Sequence, residues 1–243
     1  MSRQGFGGLL KDDQWDALVR SGSVRVHRAS EPIMGQGERD DTVHVLQGGD
    51  VKISVLLRDG TEALMAMRGP GEVLGEMSVL SGLPRTATVR AARGSCTTYV
   101  IAGDRFRTLV RNMVLERLLW EHIVRRQQES ESLRTEMAKL TSRERLAETM
   151  LRLAGPSGGA GRGPIELHLT QRELGEAVGR SLSWVQGELR RLREDGVVST
   201  DRGSLVIHGA ERLRRALSDG DGGVSTESGT HPGRTSLRMH SSG

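Results

Sequence analysis

Short apolar stretches separated by glycines constrain the fold of residues 23–101 more than any other feature of the sequence. Apolar and polar residues alternate in period two within the stretches 24–26, 43–45, 51–55 and 64–67. Such alternation is typical of short strands. Glycines recur every roughly ten residues, a spacing typical of strands joined by tight turns, at Gly35, Gly37, Gly48, Gly49, Gly60 and Gly71. We expect an all-β barrel or jelly roll, with a short amphipathic helix over residues 8–20 in front of it.

A segment that does not alternate in this way, residues 71–91, interrupts the predicted barrel. Gly71 and Gly75 permit a tight turn and a close backbone approach before a short helix, so that the N–H groups of Glu76, Met77 and residue 78 can point at an anion. Arg85 supplies a planar guanidinium suited to two phosphate oxygens. Glu76 would repel a phosphate, but its carboxylate can accept a hydrogen bond from a ribose hydroxyl. These residues predict a pocket for a molecule that carries both groups close together, as a cyclic nucleotide does.

Residues 104–154 contain no glycine or proline, and apolar residues recur at helical spacing. This pattern predicts a helical region that includes one long helix with a seam close to a heptad repeat, made by Leu119, Ile123, Ser130, Leu133, Met137 and Leu140. A helix of this length exceeds what a small barrel can cover, although its first turns can pack on the barrel. We therefore expect a second copy of the chain on the seam. Ser130, or the adjacent Glu131, either contacts a nucleotide base or serves only to fix the register of the two helices.

A glycine-rich connection, residues 155–163, separates this helix from a second pattern. Thr170 and Glu173 have the spacing of a capping box at the start of a helix. Gly179 then ends that helix, and Ser181 or Ser183 can cap a second one. Two helices joined by a glycine turn predict a helix-turn-helix. The apolar stretches 197–200 and 204–208 predict a β-hairpin wing beside it.

The segment Gly75, Glu76, Pro84, Arg85, Thr86, Ala87 resembles the phosphate-binding cassette of cyclic-nucleotide-binding domains. Together with the long helix and the winged helix-turn-helix, it resembles the cyclic AMP receptor protein family, also called CRP/FNR. The resemblance implies an α+β chain with a cyclic-nucleotide-binding jelly roll (residues 8–103), a helical region with the dimerisation helix (104–154) and a DNA-binding domain (155–217). Residues 218–243 depart from the family pattern. They are rich in Gly, Ser, Thr and Asp with hardly an apolar residue, so we expect a disordered tail.

The family's function would then carry over to this chain. The resemblance implies a cytoplasmic homodimer that binds a pseudo-palindromic site on double-stranded DNA, contacts RNA polymerase and responds to a cyclic nucleotide. Glu76 would hold the 2′-hydroxyl and Arg85 the cyclic phosphate. Cyclic AMP is the first expectation. Cyclic GMP is the second, because Thr86 resembles the version found in cyclic-GMP-selective domains.

The second helix of the helix-turn-helix departs from the family pattern. The usual Ser-Arg-Glu-Thr-Val is replaced by Ser181-Leu182-Ser183-Trp184-Val185, so the side chains best suited to guanine and cytosine edges are missing. We expect DNA contacts from Thr170, Gln171, Ser181, Ser183, Trp184, Gln186, Arg190 and Arg191. The alternative is a cyclic-nucleotide sensor that has lost sequence-specific DNA binding and acts through protein contacts.

The amino-acid composition excludes several classes of protein and of binding site. The formal charge of +4 is a weak indication of a nucleic-acid partner, since basic and acidic residues are interleaved. Cys96 is the single cysteine, which excludes an internal disulfide and a cysteine-based cluster and suits a reducing compartment. No apolar run has the length of a membrane span. Without a catalytic constellation or a metal-ligand cluster, we expect neither an enzyme nor a metal site.

Overall fold

The computed structural model describes residues 3–58, 60–92, 94–154, 163–201 and 204–218, without the side chains of residues 129, 130, 132–135 and 201. Two helices come first, α1 (Gly5–Leu9) and α2 (Asp12–Arg20). The single helix predicted over residues 8–20 is wrong because the chain turns at Leu10. Lys11 then begins α2, and its backbone N–H donates to the Gln14 side chain over 3.0 Å.

The barrel consists of two antiparallel four-stranded sheets. Its strands are β1 (Ser23–His27), β2 (Pro32–Met34), β3 (Thr42–Gly48), β4 (Val51–Leu56), β5 (Glu62–Arg68), β6 (Val73–Leu74), β7 (Thr88–Ala91) and β8 (Cys96–Ala102). One sheet has the order β1-β8-β3-β6 and the other β2-β7-β4-β5. This arrangement confirms the predicted jelly roll. The helix α3 (Glu76–Ser81) lies between β6 and β7.

Two histidines lie buried in the barrel and share one partner. His27 Nε2 is 3.0 Å and His44 Nδ1 is 3.3 Å from the hydroxyl of Thr98. Burial lowers the pKa of His44 to about 4. A third buried histidine, His122, stacks obliquely near Phe6, and burial together with the neighbouring Arg126 lowers its pKa to about 4 as well. These side chains are therefore neutral in the folded protein at pH 7.

The stretch without glycine forms three helices: α4 (Gly103–Asn112), α5 (Glu116–Lys139) and α6 (Ser142–Leu153). The first break is at Val114, whose φ of 54° lies in the left-handed region that a β-branched residue rarely adopts. The second break is a capping box, in which Thr141 and Glu144 bond each other's backbone N–H. The predicted helical region is therefore divided into three helices, first at the left-handed Val114 and then at the capping box, and α5 is the long helix among them.

The seam predicted on the long helix is wrong in its first two positions. Leu119 is 1% exposed and Ile123 packs beside it, both against the barrel core of α1, α2, α4 and β3. Among the α5 side chains that the structure describes, the large apolar ones that are exposed are instead Trp120 and Val124, at 54% and 50%. The positions that face away from the barrel are therefore one residue later along the helix. Ser130 and Leu133 lie among the side chains that the structure does not describe.

The C-terminal elements form a second core, and α6 belongs to it. They are β9 (Ile165–Leu167), α7 (Gln171–Val178), α8 (Leu182–Glu194), β10 (Val198–Asp201), β11 (Ser204–Ile207) and α9 (Ala210–Ser218). The hairpin β10-β11 forms the wing and extends to β9, in the order β10-β11-β9. Buried leucines of α6, α7, α8 and α9 pack together. The connection 155–162 and the tail 219–243 lie outside the described residues, so the predicted boundaries and the disorder of the tail stay predictions.

The second core is continuous with one side of the barrel. Leu64 and Met67 of β5 are buried among the apolar residues of the C-terminal elements. Lys52 of β4 donates to Glu173 of α7 over 2.5 Å, and both side chains are largely buried. Burial acts to raise the pKa of Glu173, but the bonds from Lys52 and Thr170 outweigh it and hold that pKa below its ordinary value. Within the described ranges, no helix combines the length and apolar character needed to cross a bilayer.

The buried histidines predict a loss of stability in mild acid. The unfolded chain binds a proton at each histidine near pH 6.5, whereas His44 and His122 in the folded chain do so only near pH 4. The free energy of unfolding should therefore fall as the pH drops from about 6.5 to about 4, by up to about 1.4 kcal/mol per pH unit for each histidine. Urea unfolding at several pH values measures this slope. His122→Leu, which removes one titrating group, should flatten it; an unchanged slope in that variant would contradict the assignment.

Candidate functional site

Two glycines shape the segment between β6 and β7. Gly75 has a φ of 88° and caps α3, and Gly82 ends the helix with a φ of 71°. A Cβ on Gly75 would lie 2.2 Å from Nη1 of Arg85 and 3.0 Å from the Thr42 carbonyl oxygen. A side chain at position 75 therefore cannot coexist with the observed position of Arg85. This is the close backbone approach for which glycine is suited.

Arg85 is the buried cation of this segment, with 3% of its surface exposed. Its Nη1 donates to the Gly75 carbonyl over 2.8 Å, and its Nη2 donates to the Thr42 carbonyl over 2.6 Å. Nη2 also donates to the Asp40 carboxylate over 3.2 Å. Nε is buried without a hydrogen-bond partner among the described residues. A buried donor without an acceptor is costly, and its presence fits an anion as the missing partner.

Glu76 is the buried carboxylate beside it, at 6% exposure. Burial raises its pKa, and the nearby Arg126 opposes that shift. Arg126 of α5 places Nη1 3.9 Å from a Glu76 oxygen and 3.4 Å from a Glu72 oxygen. Glu72 is also buried and lies 3.5 Å from Nε of Arg68. The segment is therefore linked to the long helix by a buried ion cluster.

The other residues predicted to contact the ligand are Met77, Thr86, Ser130 and Glu131. Met77 and Thr86 are exposed beside the buried Glu76 and Arg85. Glu131 is exposed on α5 and accepts from Gln127 over 3.3 Å. Ser130 lies in the same helix, but its side chain is outside the described residues. The cluster thus brings Gly75, Glu76 and Arg85 together, and it leaves the role of α5 residues 130 and 131 a prediction.

Sequence reasoning missed Arg126, Asp40 and Thr42. Arg126 could have been found from helical spacing, because Leu119, Ile123 and Arg126 follow at intervals of four and three and so share one helix face. Nothing in the sequence marks Asp40 and Thr42 as partners of Arg85, since they are more than forty positions away and contact it only in the folded barrel. Among the residues that the structure describes, no cluster of His, Cys, Asp and Glu could hold a metal ion.

The helix-turn-helix forms by the capping bonds predicted from the sequence. Thr170 and Glu173 make a reciprocal capping box at the start of α7, and Gly179 ends the helix with a φ of 73°. Ser181 caps α8 by accepting from the Trp184 backbone N–H over 3.3 Å. Of the two candidate caps, Ser181 is therefore the one used. The turn holds α8 against α7 through Val185 and Leu189, which are fully buried.

The exposed side of α8 carries fewer candidate base contacts than predicted. Ser183, Gln186 and Arg190 are exposed. Trp184 is half-buried against the core, and the Arg180 guanidinium lies 5.8 Å from its ring centroid. The indole is therefore a packing residue of the turn as well as a candidate contact. Ser183 and Gln186 remain as the fully exposed candidates for base edges.

Thr170 and Gln171, at the start of α7, lie next to the barrel. Both line a cavity of about 500 Å³ between the barrel and the C-terminal elements, together with Lys52, His168 and Glu173. The Thr170 side chain is already engaged with Glu173. In this arrangement the start of α7 faces the chain's own barrel.

Glu188 occupies a buried position of α8 where an apolar residue is usual. It is 8% exposed and accepts from Nη2 of Arg143, on α6, over 3.2 Å. Arg191, one turn later, places Nη1 3.6 Å from the same carboxylate while staying 64% exposed. The paired Arg143 offsets the cost of burying this charge. Glu188 thus ties α8 to α6 and restrains Arg191 at the surface.

Comparison with known proteins agrees with both halves of this description. One family model, "Cyclic nucleotide-binding domain", matches residues 24–113, and a second, "Crp-like helix-turn-helix domain", matches residues 144–216. The "cAMP-activated global transcriptional regulator CRP" of Salmonella typhimurium is 25% identical over 189 residues, which cover 76% of this chain and 90% of that protein.

Two further relatives extend the comparison. The "Cyclic AMP receptor protein" of Thermus thermophilus is 26% identical over 208 residues, covering 86% of this chain and 94% of that protein. The solved structure of the c-di-GMP responsive global regulator CLP of Xanthomonas campestris shares the fold, with a TM-score of 0.66 at 21% identity, over 82% of this chain and 100% of the other. The chain, with its cyclic-nucleotide-binding domain and its Crp-like helix-turn-helix, belongs to the CRP/FNR family of transcription regulators.

Proposed function

We propose that this protein is a homodimeric, DNA-binding transcription regulator whose effector is a cyclic nucleotide held between Glu76 and Arg85. The observation that carries the proposal is the buried Arg85, whose Nε lacks an acceptor among the described residues, beside a buried carboxylate. Cyclic AMP is the first candidate, because the Salmonella and Thermus relatives carry cyclic AMP in their names. Cyclic GMP is the second, for the hydroxyl of Thr86.

In the proposed complex, Arg85 donates to the cyclic phosphate and Glu76 accepts from the ribose 2′-hydroxyl. Glu76 lies 3.9 Å from Arg126 of α5. A hydroxyl that bonds Glu76 must therefore compete with Arg126 or share the carboxylate with it. Either way, occupancy of the pocket changes a contact of the long helix. The effector shifts the protein only by the difference between its affinities for the two arrangements.

The pocket predicts a specific loss of binding. Calorimetry should detect binding of cyclic AMP to the wild type, and Arg85→Ala should weaken it by at least about 30-fold, because a desolvated phosphate loses its charge partner. Arg85→Lys, which keeps a charge, controls for loss of the local fold. Arg90→Ala, at an exposed position of β7, should bind as the wild type does. No heat with either cyclic nucleotide at millimolar concentration, or unchanged binding by Arg85→Ala, would overturn the assignment.

The proposed dimer uses the exposed side of α5. Trp120 and Val124 lie on it beside Arg117, Glu121, Arg125 and Gln128. Because these apolar side chains are half-exposed while the opposite side of the helix packs on the barrel, a second copy of α5 would bury them. The seam is thus centred on Trp120 and Val124 rather than on Leu119 and Ile123.

If the dimer forms through this seam, placing charges in the seam should halve the particle mass in solution. The double variant Trp120→Glu, Val124→Glu should be a monomer by light scattering, since like charges would face each other across the two-fold axis. Val24→Glu, at an apolar residue of β1 that is 61% exposed, is the matched control and should remain dimeric. A persistent dimer in the double variant would place the interface elsewhere on the molecule.

The proposed DNA contact places α8 in the major groove of two half-sites about 34 Å apart. Gln186→Ala should change which sequences a genomic library selection retains, because Gln186 is an exposed candidate for base edges. Arg190→Ala should weaken binding to all sequences alike and reduce the slope of log affinity against log salt by about 1. Arg191→Ala should do less, because Glu188 already neutralises part of its charge. Failure to retain any duplex at low salt, with or without nucleotide, would favour the sensor that acts through protein contacts.

A further inference from the structure

Asp40 contacts the guanidinium on which the proposed phosphate site depends. Its Oδ2 accepts from Nη2 of Arg85 over 3.2 Å. The Arg85 side chain is 1% exposed, whereas that of Asp40 is 48% exposed. The carboxylate therefore lies between the buried cation and solvent.

Asp40 is fixed in this position by a second bond. The Thr42 hydroxyl donates to the same Oδ2 over 2.5 Å, and the Thr42 carbonyl accepts from Nη2 of Arg85. Burial works to raise the pKa of Asp40, but the bonds from Thr42 and Arg85 outweigh it and hold that pKa below its ordinary value. Asp40 is thus an anion at neutral pH, in contact with the cation that the effector's phosphate would need.

The adjacent Asp41 does not share this arrangement. Its two oxygens accept from Nη1 and Nη2 of Arg107 over 2.9 Å and 3.0 Å. Asp41 is 59% exposed, so the two neighbouring carboxylates are similar in charge and exposure. They differ in which arginine they bond, and this makes Asp41 a matched control.

The bond of 3.2 Å between Asp40 and Arg85 is open to solvent and contributes little free energy, although the Thr42 hydroxyl still holds the carboxylate nearby. The two carbonyl bonds of Arg85, at 2.8 Å and 2.6 Å, are shorter and buried. An incoming phosphate would therefore displace Asp40 or bind beside its negative charge. Both routes lower the affinity for an anion.

We propose that Asp40 is an internal competitor of the effector's phosphate for Arg85, and that it sets the effector concentration at which the pocket fills. This inference rests on the proposed function. Asp40 acts by withholding part of the Arg85 charge, and its removal strengthens binding of anionic ligands while leaving the pocket's shape intact.

The test is calorimetric titration of cyclic AMP into the full-length wild type, Asp40→Asn and Asp41→Asn. The amide introduced by Asp40→Asn keeps an oxygen that can accept from Thr42 and Arg85 but removes the charge. We expect Asp40→Asn to bind about five-fold more tightly, the effect of one solvent-open ion pair. Asp41→Asn should gain much less, because Asp41 bonds Arg107 and interacts with Arg85 only weakly through space. The gain of Asp40→Asn should shrink in high salt, because it is electrostatic.

The possible results distinguish a failure of the role of Asp40 from a failure of the nucleotide pocket. Binding by the wild type with an equal or lower affinity in Asp40→Asn would overturn the competitor role, since Asp40 would then only orient Arg85. An equal gain in Asp41→Asn would also overturn it, because any nearby negative charge would have the same effect. Binding by none of the three proteins would overturn the nucleotide pocket itself. Binding by Asp40→Asn alone would support both.

Discussion

The buried guanidinium of Arg85 organises the part of the barrel on which the proposed function depends. It joins the Gly75 carbonyl at the start of α3 to the Thr42 carbonyl at the start of β3. Its own backbone is bonded to the loop between β2 and β3, through Glu38 and Gly37. The side chain and backbone of this one residue therefore hold together the short helix α3, the loop between β2 and β3 and the start of strand β3. A charge buried so completely is stable only because carbonyl oxygens and a carboxylate surround it.

Two sets of contacts connect the barrel to the rest of the molecule. Arg126 connects Glu72 and Glu76 to α5, the helix that carries the exposed Trp120 and Val124. The C-terminal elements pack on β4 and β5 of the other sheet, through the pair Lys52–Glu173 and the buried Leu64 and Met67. A change in the position of Glu76 therefore acts directly on α5, the proposed dimer helix, through Arg126. The start of α7, by contrast, is held by the barrel itself, so a pose in which Thr170 and Gln171 touch DNA requires those contacts to open.

Local patterns in the sequence predicted most of the fold. The glycine spacing and period-two alternation predicted the jelly roll, because turns and strand faces are encoded within a few residues. The capping box of Thr170 and Glu173 predicted α7 for the same reason. Thr141 and Glu144 have the same spacing and end the long helix, so that break was readable and was missed. The break at Val114 carries no such pattern, since a positive φ at valine depends on its tertiary surroundings.

The site was less predictable, because its chemistry depends on contacts between distant segments. Glycines and charges at fixed spacing indicated Glu76 and Arg85, but Asp40 and Arg126 reach them only through the folding of the barrel and the packing of α5. The first two seam positions predicted on α5, Leu119 and Ile123, lie on the barrel side, because apolar spacing cannot tell which side of a helix meets the barrel and which meets a second chain. Glu188 is likewise explained only by a distant residue, because its partner Arg143 lies on another helix and nothing in the sequence links the two.

We expect occupancy of the cassette and binding of DNA to be coupled. Reciprocal titration measures this coupling: the affinity for a selected duplex is measured by fluorescence anisotropy with and without saturating cyclic AMP, and the affinity for cyclic AMP is measured with and without saturating duplex. Thermodynamic linkage requires the two ratios to be equal, and we predict a common factor of about five or more. Tight binding of both ligands with a factor of one would contradict it.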